Sequence, residues 1–453
     1  MNRSVKIWFC IGLSALLTTA CDDRLDVQPT QSIEASQALN TEQDVIITLT
    51  GAYDGLSDIN LYGGGIQYTS ELLGNNRDVV FAGTFSTLNE LSQRAVTTSN
   101  TVVRDFWLDG YNAINRANNV LSALDKVGEA NRGNIEGQAR FIRGAIYFEL
   151  VRAFAKDWGD GTPGQNPGVP LVLEPTDAIS DDDYRARNTV AEVYTQVLAD
   201  LTQAETLLPE EQENGTAFAT KGAAQALLAR VYLQQRNYAQ ARDAANRVIT
   251  SGTYALGATF AEVFTDGTAG NLSEVIFRIA ISEQDGVNDL NTFFASSLNQ
   301  GRGDIRLQQA FLQLYETADV RGQFINRATI NTFTSKFNDQ FGDVPVVRLA
   351  EMYLIRAEAN FRLNTTIGAT PLEDINRIRN RAKATPLTQA QLTLDAILRE
   401  RRLELAFEGN LLPDVKRTGA SIGTTPATAN NLVLPIPQRE IDTNKELVQN
   451  PGY

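Results

Sequence analysis

The 453-residue sequence contains no histidine and only two cysteines. Without histidine, Ser-His-Asp and Cys-His catalysis, imidazole metal sites and the usual proton shuttle near neutral pH are excluded. The net charge of −14 argues against nucleic acid as the main partner, which would require a basic surface. Hydrophobic residues make up 43% and charged residues 21% of the chain, as in an ordinary globular protein with a substantial core.

The first twenty residues have the pattern of a secretory signal. Two basic residues precede an apolar run that ends near Leu17 and is shorter than the ~20 residues needed to span a membrane. Cys21 follows a small residue, which resembles a bacterial lipobox, although Thr18 stands where leucine is usual. We predict a lipoprotein signal peptide over residues 1–20 and lipidation of Cys21. An ordinary signal peptide with an unmodified cysteine is the alternative.

Lipidation of Cys21 leaves no free thiol in the mature chain, because Cys10 lies in the removed segment. Neither a disulfide nor a thiolate metal site is then expected. Residues 21–30 are predicted to be a lipid-anchored tether. Asp22 and Asp23 resemble the signal that exports lipoproteins to the cell surface in Bacteroidetes, and a solvated acidic tether is the alternative. No later stretch approaches 18 apolar residues, so the lipid is predicted to be the sole anchor.

Amphipathic helix patterns dominate the rest of the chain. The most regular one covers residues 221–249. In it Ala229, Tyr232 and Ala241 match tetratricopeptide spacing, in which small residues let two antiparallel helices approach closely. Other helices are predicted over residues 104–127, 140–154, 189–208, 349–363, 374–382 and 394–407. We therefore expect several packed helical hairpins.

The stretches between these helices are rich in Gly, Asn, Thr and Asp. Residues 60–103, 157–187 and 251–347 are predicted to be ordered loops, because scattered aromatic residues give them something to bury. A short strand is predicted over 275–281. We expect a single domain over residues 31–453, with helix pairs to about residue 250, a loop-rich part over 251–347, and C-terminal helices and tail over 348–453.

Several segments resemble the SusD/RagB family of lipoproteins. They are the stretch that begins at Cys21 (CDDRLDVQP) and residues 106–124 (FWLDGYNAINRANNVLSAL), 139–154 (ARFIRGAIYFELVRAF), 168–172, 348–364, 397–410 and 434–453. The resemblance thus runs from end to end. One departure is at residues 411–417, where the family's frequent Trp-Phe-Asp-Leu-Lys-Arg pattern is replaced by LLPDVKR, a change that concerns local packing.

The resemblance implies a mainly α-helical fold of four tetratricopeptide-like helix pairs, with long irregular loops and a few short strands. It also implies a cell-surface lipoprotein that captures oligosaccharides, delivers them to a SusC-type TonB-dependent outer-membrane transporter and does no chemistry itself. A RagB-like peptide-binding lipoprotein is the first alternative. A surface scaffold or a glycan-active enzyme is the second; the enzyme would need paired carboxylates. Glu400, Glu404 and Glu408 are interpreted instead as the polar side of a helix.

Candidate ligand contacts are aromatic, amide and charged residues, because sugars present flat apolar faces and hydroxyl groups. They are Tyr68, Asn75, Asn76, Arg77, Asp78 and Phe81, with Glu71 nearby, and a second patch of Asn291 and Phe293 beside Asn288 and Phe294. The corresponding loop of the family commonly contacts ligands. The alternative is a solvated loop with a small local core around Phe81.

Two loop features have a structural interpretation beside a functional one. Trp158 could be an exposed platform or a packing anchor, whereas Trp107 is predicted to be core. We expect no cofactor and no catalytic metal. Acidic runs such as residues 181–183 are interpreted as solvated, although oxygen-rich loops leave room for a structural Ca²⁺.

Overall fold

A computed structural model describes residues 39–176, 183–213, 215–265, 273–328 and 330–453. The predicted signal peptide, Cys21 and the tether lie outside these residues. The helices are α1 (Glu42–Ser57), α2 (Gly65–Leu73), α3 (Ser86–Gln93), α4 (Thr101–Ser122), α5 (Glu129–Phe154), α6 (Val190–Leu207), α7 (Lys221–Gln234), α8 (Tyr238–Thr250), α9 (Glu262–Thr265), α10 (Asp289–Phe294), α11 (Gln309–Leu312), α12 (Leu349–Leu363), α13 (Pro371–Arg381), α14 (Leu394–Glu404), α15 (Leu411–Thr418) and α16 (Gln438–Thr443).

Strands are short and pair only two at a time in the described part of the chain. They are β1 (Val79–Phe81), β2 (Val275–Ile279), β3 (Ile305–Leu307), β4 (Ile325–Ala328), β5 (Asn331–Thr334) and β6 (Val344–Arg348). The antiparallel pairs are β1 with β3, β2 with β6, and β4 with β5. The prediction of a mainly α-helical protein with a few short strands is confirmed.

The long helices pack against one another in chain order. Helix α1 contacts α4, and the series continues through α5, α6, α7, α8, α12 and α13. In the hairpin of α7 and α8, Ala229 and Ala241 are fully buried, as the tetratricopeptide spacing predicted. One apolar core runs from Val45 to Leu447 and includes Trp107. No described helix combines the length and the apolar character that crossing a bilayer requires.

Helix ends follow local capping signals. Thr189 begins α6 with a capping box, in which its hydroxyl accepts from the Glu192 backbone N–H while the Glu192 carboxylate accepts from Thr189. Thr370 and Glu373 form the same arrangement at α13. Helix α5 begins at Glu129, before the predicted start at residue 140. The sequence does not indicate its first turns, because they are polar and partly exposed and so lack an apolar period.

A run of glycines places α2 inside the core. A Cβ on Gly65 would lie 2.2 Å from the backbone oxygen of Asn60, and Gly64 has a φ of +149°, which favours glycine. Every residue of α2 is buried. Helices α2 and α3 correct the prediction that residues 60–103 lack helices, since close backbone approach rather than amphipathic pattern holds α2 in place.

The glutamates of the C-terminal helices do not form an exposed polar side, so that interpretation is wrong. Glu400 and Glu404 are buried and Glu408 is nearly so. Arg348 donates to Glu274, Glu404 and Glu408 over 2.6–2.9 Å. We call this set the buried ion network; its other members are Arg321, Lys336, Arg379 and Arg381. It ties the loop-rich part of the chain to α13 and α14.

Candidate ligand-binding site

The polar loop after α2 is closed by the side chain of Asn75. Its amide nitrogen donates to the Val79 carbonyl over 2.8 Å, and its amide oxygen accepts from the backbone N–H of Asp78 over 2.9 Å. Arg94 braces the loop from α3 by donating to the backbone oxygens of Leu73 and Asn75. Asn75 therefore shapes the loop, in the manner of an Asx turn, rather than projecting from it.

The tip of this loop faces solvent beside an open groove. Asn76 and Arg77 are exposed, and Arg77 adopts a φ of +65° that turns the chain back toward β1. The groove has a volume of about 540 Å³ and is lined by Asn76, Arg77, Val80, Arg94, Gln308 and Gln309, among others. Amide and guanidinium groups beside an exposed valine match the mixture of polar and apolar surface that sugars require.

A column of aromatic rings runs from the core to the surface next to this groove. The rings of Tyr68 and Phe293 meet edge-on with centroids 5.3 Å apart, and Phe293 meets Phe85 in the same way at 5.7 Å. Tyr68 is 2% exposed and Phe293 5%, whereas Phe85 is 43% exposed. Tyr68 and Phe293 therefore lie beneath the outer ring and support it.

Phe85 carries a cation on its face. The Arg302 guanidinium lies 4.8 Å from the Phe85 ring centroid, and its Nε donates to Asp304 over 3.0 Å. Phe85 is the N-cap residue of α3, and Ser92 near the other end of α3 lines the groove. Along the helix axis the two positions are about 10 Å apart. The exposed ring and the groove are thus close enough for one extended ligand.

The second predicted patch belongs to the interior. Asn291 is fully buried and donates to the backbone oxygens of Phe337 and Asn299 over 2.9 and 3.1 Å. Asn288 caps α10 and also donates to Gln340. Phe294 is 1% exposed. These residues hold the loop that carries Arg302, because their amides satisfy backbone groups that would otherwise be buried without partners.

Three other candidate residues have mainly structural contacts. Asp78 is buried and accepts from the Arg402 Nε over 3.2 Å, and burial raises its pKa. Phe81 is half-buried and pairs across the β1–β3 ladder with Ile305. Trp158 is half-buried and packs edge-on against Tyr194 at 5.1 Å, as a packing anchor.

No group of three or more metal-ligating side chains is found among the described residues, and Asp181 and Asp182 lie outside them. Sequence reasoning missed Phe85 and Arg302 as site residues. For Phe85 the only signal in the sequence was its position directly before a short helix. Arg302 gave no such signal, because it lies more than 200 residues further along the chain. Structural Ca²⁺ stays a prediction.

Two family models match the chain. One, described as starch-binding and associating with the outer membrane, matches residues 23–233, and one described as the SusD family matches residues 323–431. SusD-like protein P2 of Formosa agariphila is 25% identical over the full length of both chains. The starch-binding protein SusD of Bacteroides thetaiotaomicron is 36% identical over 24% of this chain and 22% of its own length.

Solved structures agree with these matches. A putative sugar binding protein from Bacteroides vulgatus superposes with a TM-score of 0.80 and 28% identity, covering 92% of this chain and 99% of that one. A SusD superfamily protein from the same species gives a TM-score of 0.81 and 26% identity over 91% and 99% of the two chains. The chain therefore belongs to the SusD/RagB family of glycan-binding, outer-membrane-associated proteins.

Proposed function

We propose that this protein captures oligosaccharides at the cell surface and delivers them to a SusC-type TonB-dependent transporter in the outer membrane. The observation that carries the proposal is the groove of amides and arginines beside the exposed Phe85 ring, in a chain of the SusD/RagB family. Relatives named as starch-binding and as a putative sugar binding protein support a glycan ligand.

The proposed binding mode divides the ligand between two kinds of contact. Phe85 covers the apolar face of one sugar ring with the face opposite Arg302, and the column beneath it keeps the Phe85 ring from moving. Asn76, Arg77 and Gln309 hydrogen-bond to hydroxyl groups in the groove. Because the platform is buttressed and the loop is closed by Asn75, binding requires little ordering of the protein.

Phe85→Ala and Arg77→Ala are each expected to weaken glycan binding at least tenfold, about 1.4 kcal/mol, with little change in melting temperature. Both side chains lie at the surface, so their loss leaves the core intact. An array of α- and β-linked oligosaccharides, followed by isothermal titration with the tightest binder and with maltoheptaose, measures the effect.

Tyr184→Ala provides the control, because Tyr184 is an exposed aromatic residue that does not line the groove. It is expected to bind glycans like the unchanged protein. Binding to a peptide library without binding to any glycan would replace the proposal by the RagB-like alternative. Equal glycan affinity in Phe85→Ala, Arg77→Ala and Tyr184→Ala would place the glycan elsewhere on the protein.

The proposal includes attachment of the chain to the outer membrane through lipidated Cys21. Cys21→Ser is expected to abolish incorporation of an alkyne-labelled palmitate in cells and to release the protein from the membrane fraction. All acyl chains are proposed to be attached through Cys21, so the variant has no membrane anchor. Cys10→Ser, in the segment predicted to be removed, is the matched control. Retention of label in Cys21→Ser would contradict lipidation at this position.

A glycan-active enzyme is considered as a second candidate, because the buried Glu71 and Asp78 carboxylates both border one pocket. The contacts of these two carboxylates argue against it. A glycosidase pair needs one acid and one free carboxylate that reach the substrate. Asp78 is instead held by Arg402, and Glu71 is buried beneath the backbone N–H groups of Gly409 and Leu411. Proteins of this family bind ligands rather than convert them.

A further inference from the structure

A partly open pocket lies next to the groove. Its volume is about 340 Å³, near the lower end of the ~300–1,000 Å³ range of sites for organic ligands. Residues of α14, α15, the loop after α2 and the turn after α15 form its walls. Asn76 and Ile422 border both the pocket and the groove, so the two cavities are neighbours with a shared partition.

The walls of this pocket are mainly apolar. The side chains that define it are Phe311, Leu398, Leu405, Phe407, Leu411 and Val415. Leu411 and Val415 belong to the LLPDVKR segment, where the sequence departs from the aromatic family pattern. Filling a cavity of this kind with an apolar group is favourable, because it removes apolar surface from water.

Buried charges around the pocket are already paired. Asp78 is held by Arg402, and Arg401 donates to Asp414 over 2.8 Å. Burial raises the pKa of Glu71 to about 8, with the charge of Asp78 contributing, so this carboxyl is mostly protonated at neutral pH. A charged ligand among these buried groups would therefore lose its hydration without finding a free buried counter-charge. The other charged residues of the lining, Asp395 and Arg399, are exposed.

Two polar atoms at the pocket remain without a hydrogen-bond partner among the described residues. They are Oε1 of Glu71 and Nη1 of Arg401. Leaving such a group unpaired and buried is unfavourable. A protonated carboxyl and a guanidinium N–H both donate hydrogen bonds, so a ligand that satisfies them presents an acceptor oxygen.

We propose that this pocket is a second ligand site, which binds an uncharged molecule with an aryl or alkyl body and a carbonyl or hydroxyl oxygen directed toward Glu71 and Arg401. The proposal goes beyond glycan capture, because binding in the pocket requires no sugar in the groove. The apolar body occupies the cavity between α14 and α15, and the oxygen lies at the polar floor.

Three naphthalene derivatives with the same ring system test this proposal. The probes are 2-naphthamide, which is neutral, 2-naphthoate, which is anionic, and 2-naphthylmethylammonium, which is cationic. Ligand-observed NMR titration at pH 6.5 is expected to show saturable binding of 2-naphthamide with a Kd below about 1 mM. Binding of each charged probe is expected to be at least tenfold weaker.

Two substitutions that close the pocket locate the binding. Val415→Phe fills the cavity from α15, and Ala420→Trp covers it from an exposed position on the rim, where folding is not at risk. Each is expected to weaken 2-naphthamide binding at least tenfold. Ala130→Trp, at an exposed position of α5 remote from the pocket lining, is the matched control.

The proposal is overturned if 2-naphthamide shows no saturable binding, if the three probes bind equally, or if Ala420→Trp binds like Ala130→Trp. Glycan titration of the same proteins separates this result from the proposed function. Loss of 2-naphthamide binding with intact glycan binding in Ala420→Trp supports a separate site. Absence of all glycan binding with retained 2-naphthamide binding would overturn glycan capture and leave the pocket site standing.

Discussion

Replacement of Arg348 by methionine is expected to lower the free energy of unfolding by about 3–5 kcal/mol, because it leaves buried carboxylates without their counter-charge. The Arg348 side chain is 1% exposed and bonds to Glu274, Glu404 and Glu408. The loss is a large fraction of the ~5–15 kcal/mol that stabilises an ordinary folded protein. Urea unfolding followed by circular dichroism measures it, together with the soluble yield.

Arg104→Met is the matched control. Arg104 also bonds to an acidic residue, Asp105, but its side chain is 41% exposed, so the pair contributes less than about 1 kcal/mol. The free energy of unfolding of Arg348→Lys is expected to lie between those of the two methionine variants. Its ammonium group keeps the charge but cannot reproduce the several hydrogen bonds of the planar guanidinium group. Equal stability of the Arg348→Met and Arg104→Met proteins would contradict a structural role for the buried ion network.

The free energy of unfolding is expected to fall steeply as the pH decreases from about 4.5 to 2. Burial alone would raise the pKa of Glu351, but its ion pairs with Arg230 and Arg401 outweigh burial and lower it from 4.5 to about 2. A depressed pKa means that the unfolded chain binds more protons. The stabilisation is therefore complete above the unfolded-state pKa and is lost as pH falls toward the folded-state pKa.

For Glu351 the lowered pKa corresponds to about 3 kcal/mol at neutral pH. Glu358, Glu404 and Glu408 also have lowered pKa values, because their arginine and lysine partners outweigh burial, and they act in the same direction. Glu71 acts in the opposite direction. Its raised pKa lowers the free energy of unfolding as pH rises from 4.5 through about 8. This effect lies above pH 4.5, so it does not obscure the loss of stability below that pH.

Urea titrations at pH 7, 4.5 and 3 test this dependence. Glu351→Gln is expected to be less stable at pH 7, where Arg230 loses its charged partner, and to show a shallower fall toward pH 3. Glu211→Gln, at an exposed position, is expected to keep the slope of the unchanged protein. If the free energy of unfolding falls equally with pH in the unchanged protein and in both variants, Glu351 does not contribute to the loss of stability in acid.

Elements with local signals could be predicted from the sequence. Thr189 and Pro209 bracket α6, and the alanine spacing of 221–249 gives the α7–α8 hairpin. Helix α2 was missed, because a glycine run in front of it indicates a turn unless the approach of Gly65 to Asn60 is known. Tertiary contact, not local propensity, decides the structure there.

For the charged residues and the candidate site residues, too, tertiary contacts that the sequence does not show decide the environment. Glu404 has the spacing of an exposed helix face, and its partners Arg321 and Arg348 come from positions 83 and 56 residues away. Residue type singles out the loop of Asn76 and Arg77, which lies at the surface beside the groove. It did not distinguish the buried Phe293 from a surface ring, because an aromatic residue suits both environments.

The buried ion network has a consequence for the order of folding. Its contacts close loops of 74 residues between Glu274 and Arg348 and of 83 residues between Arg321 and Glu404. Contacts of such long sequence separation form late, since loop-closure entropy must be overcome before they contribute. The loop-rich middle of the chain therefore completes its folding only after α14 is present, so a chain that ends before Glu404 is expected to keep Arg348 solvated and this middle part unfolded.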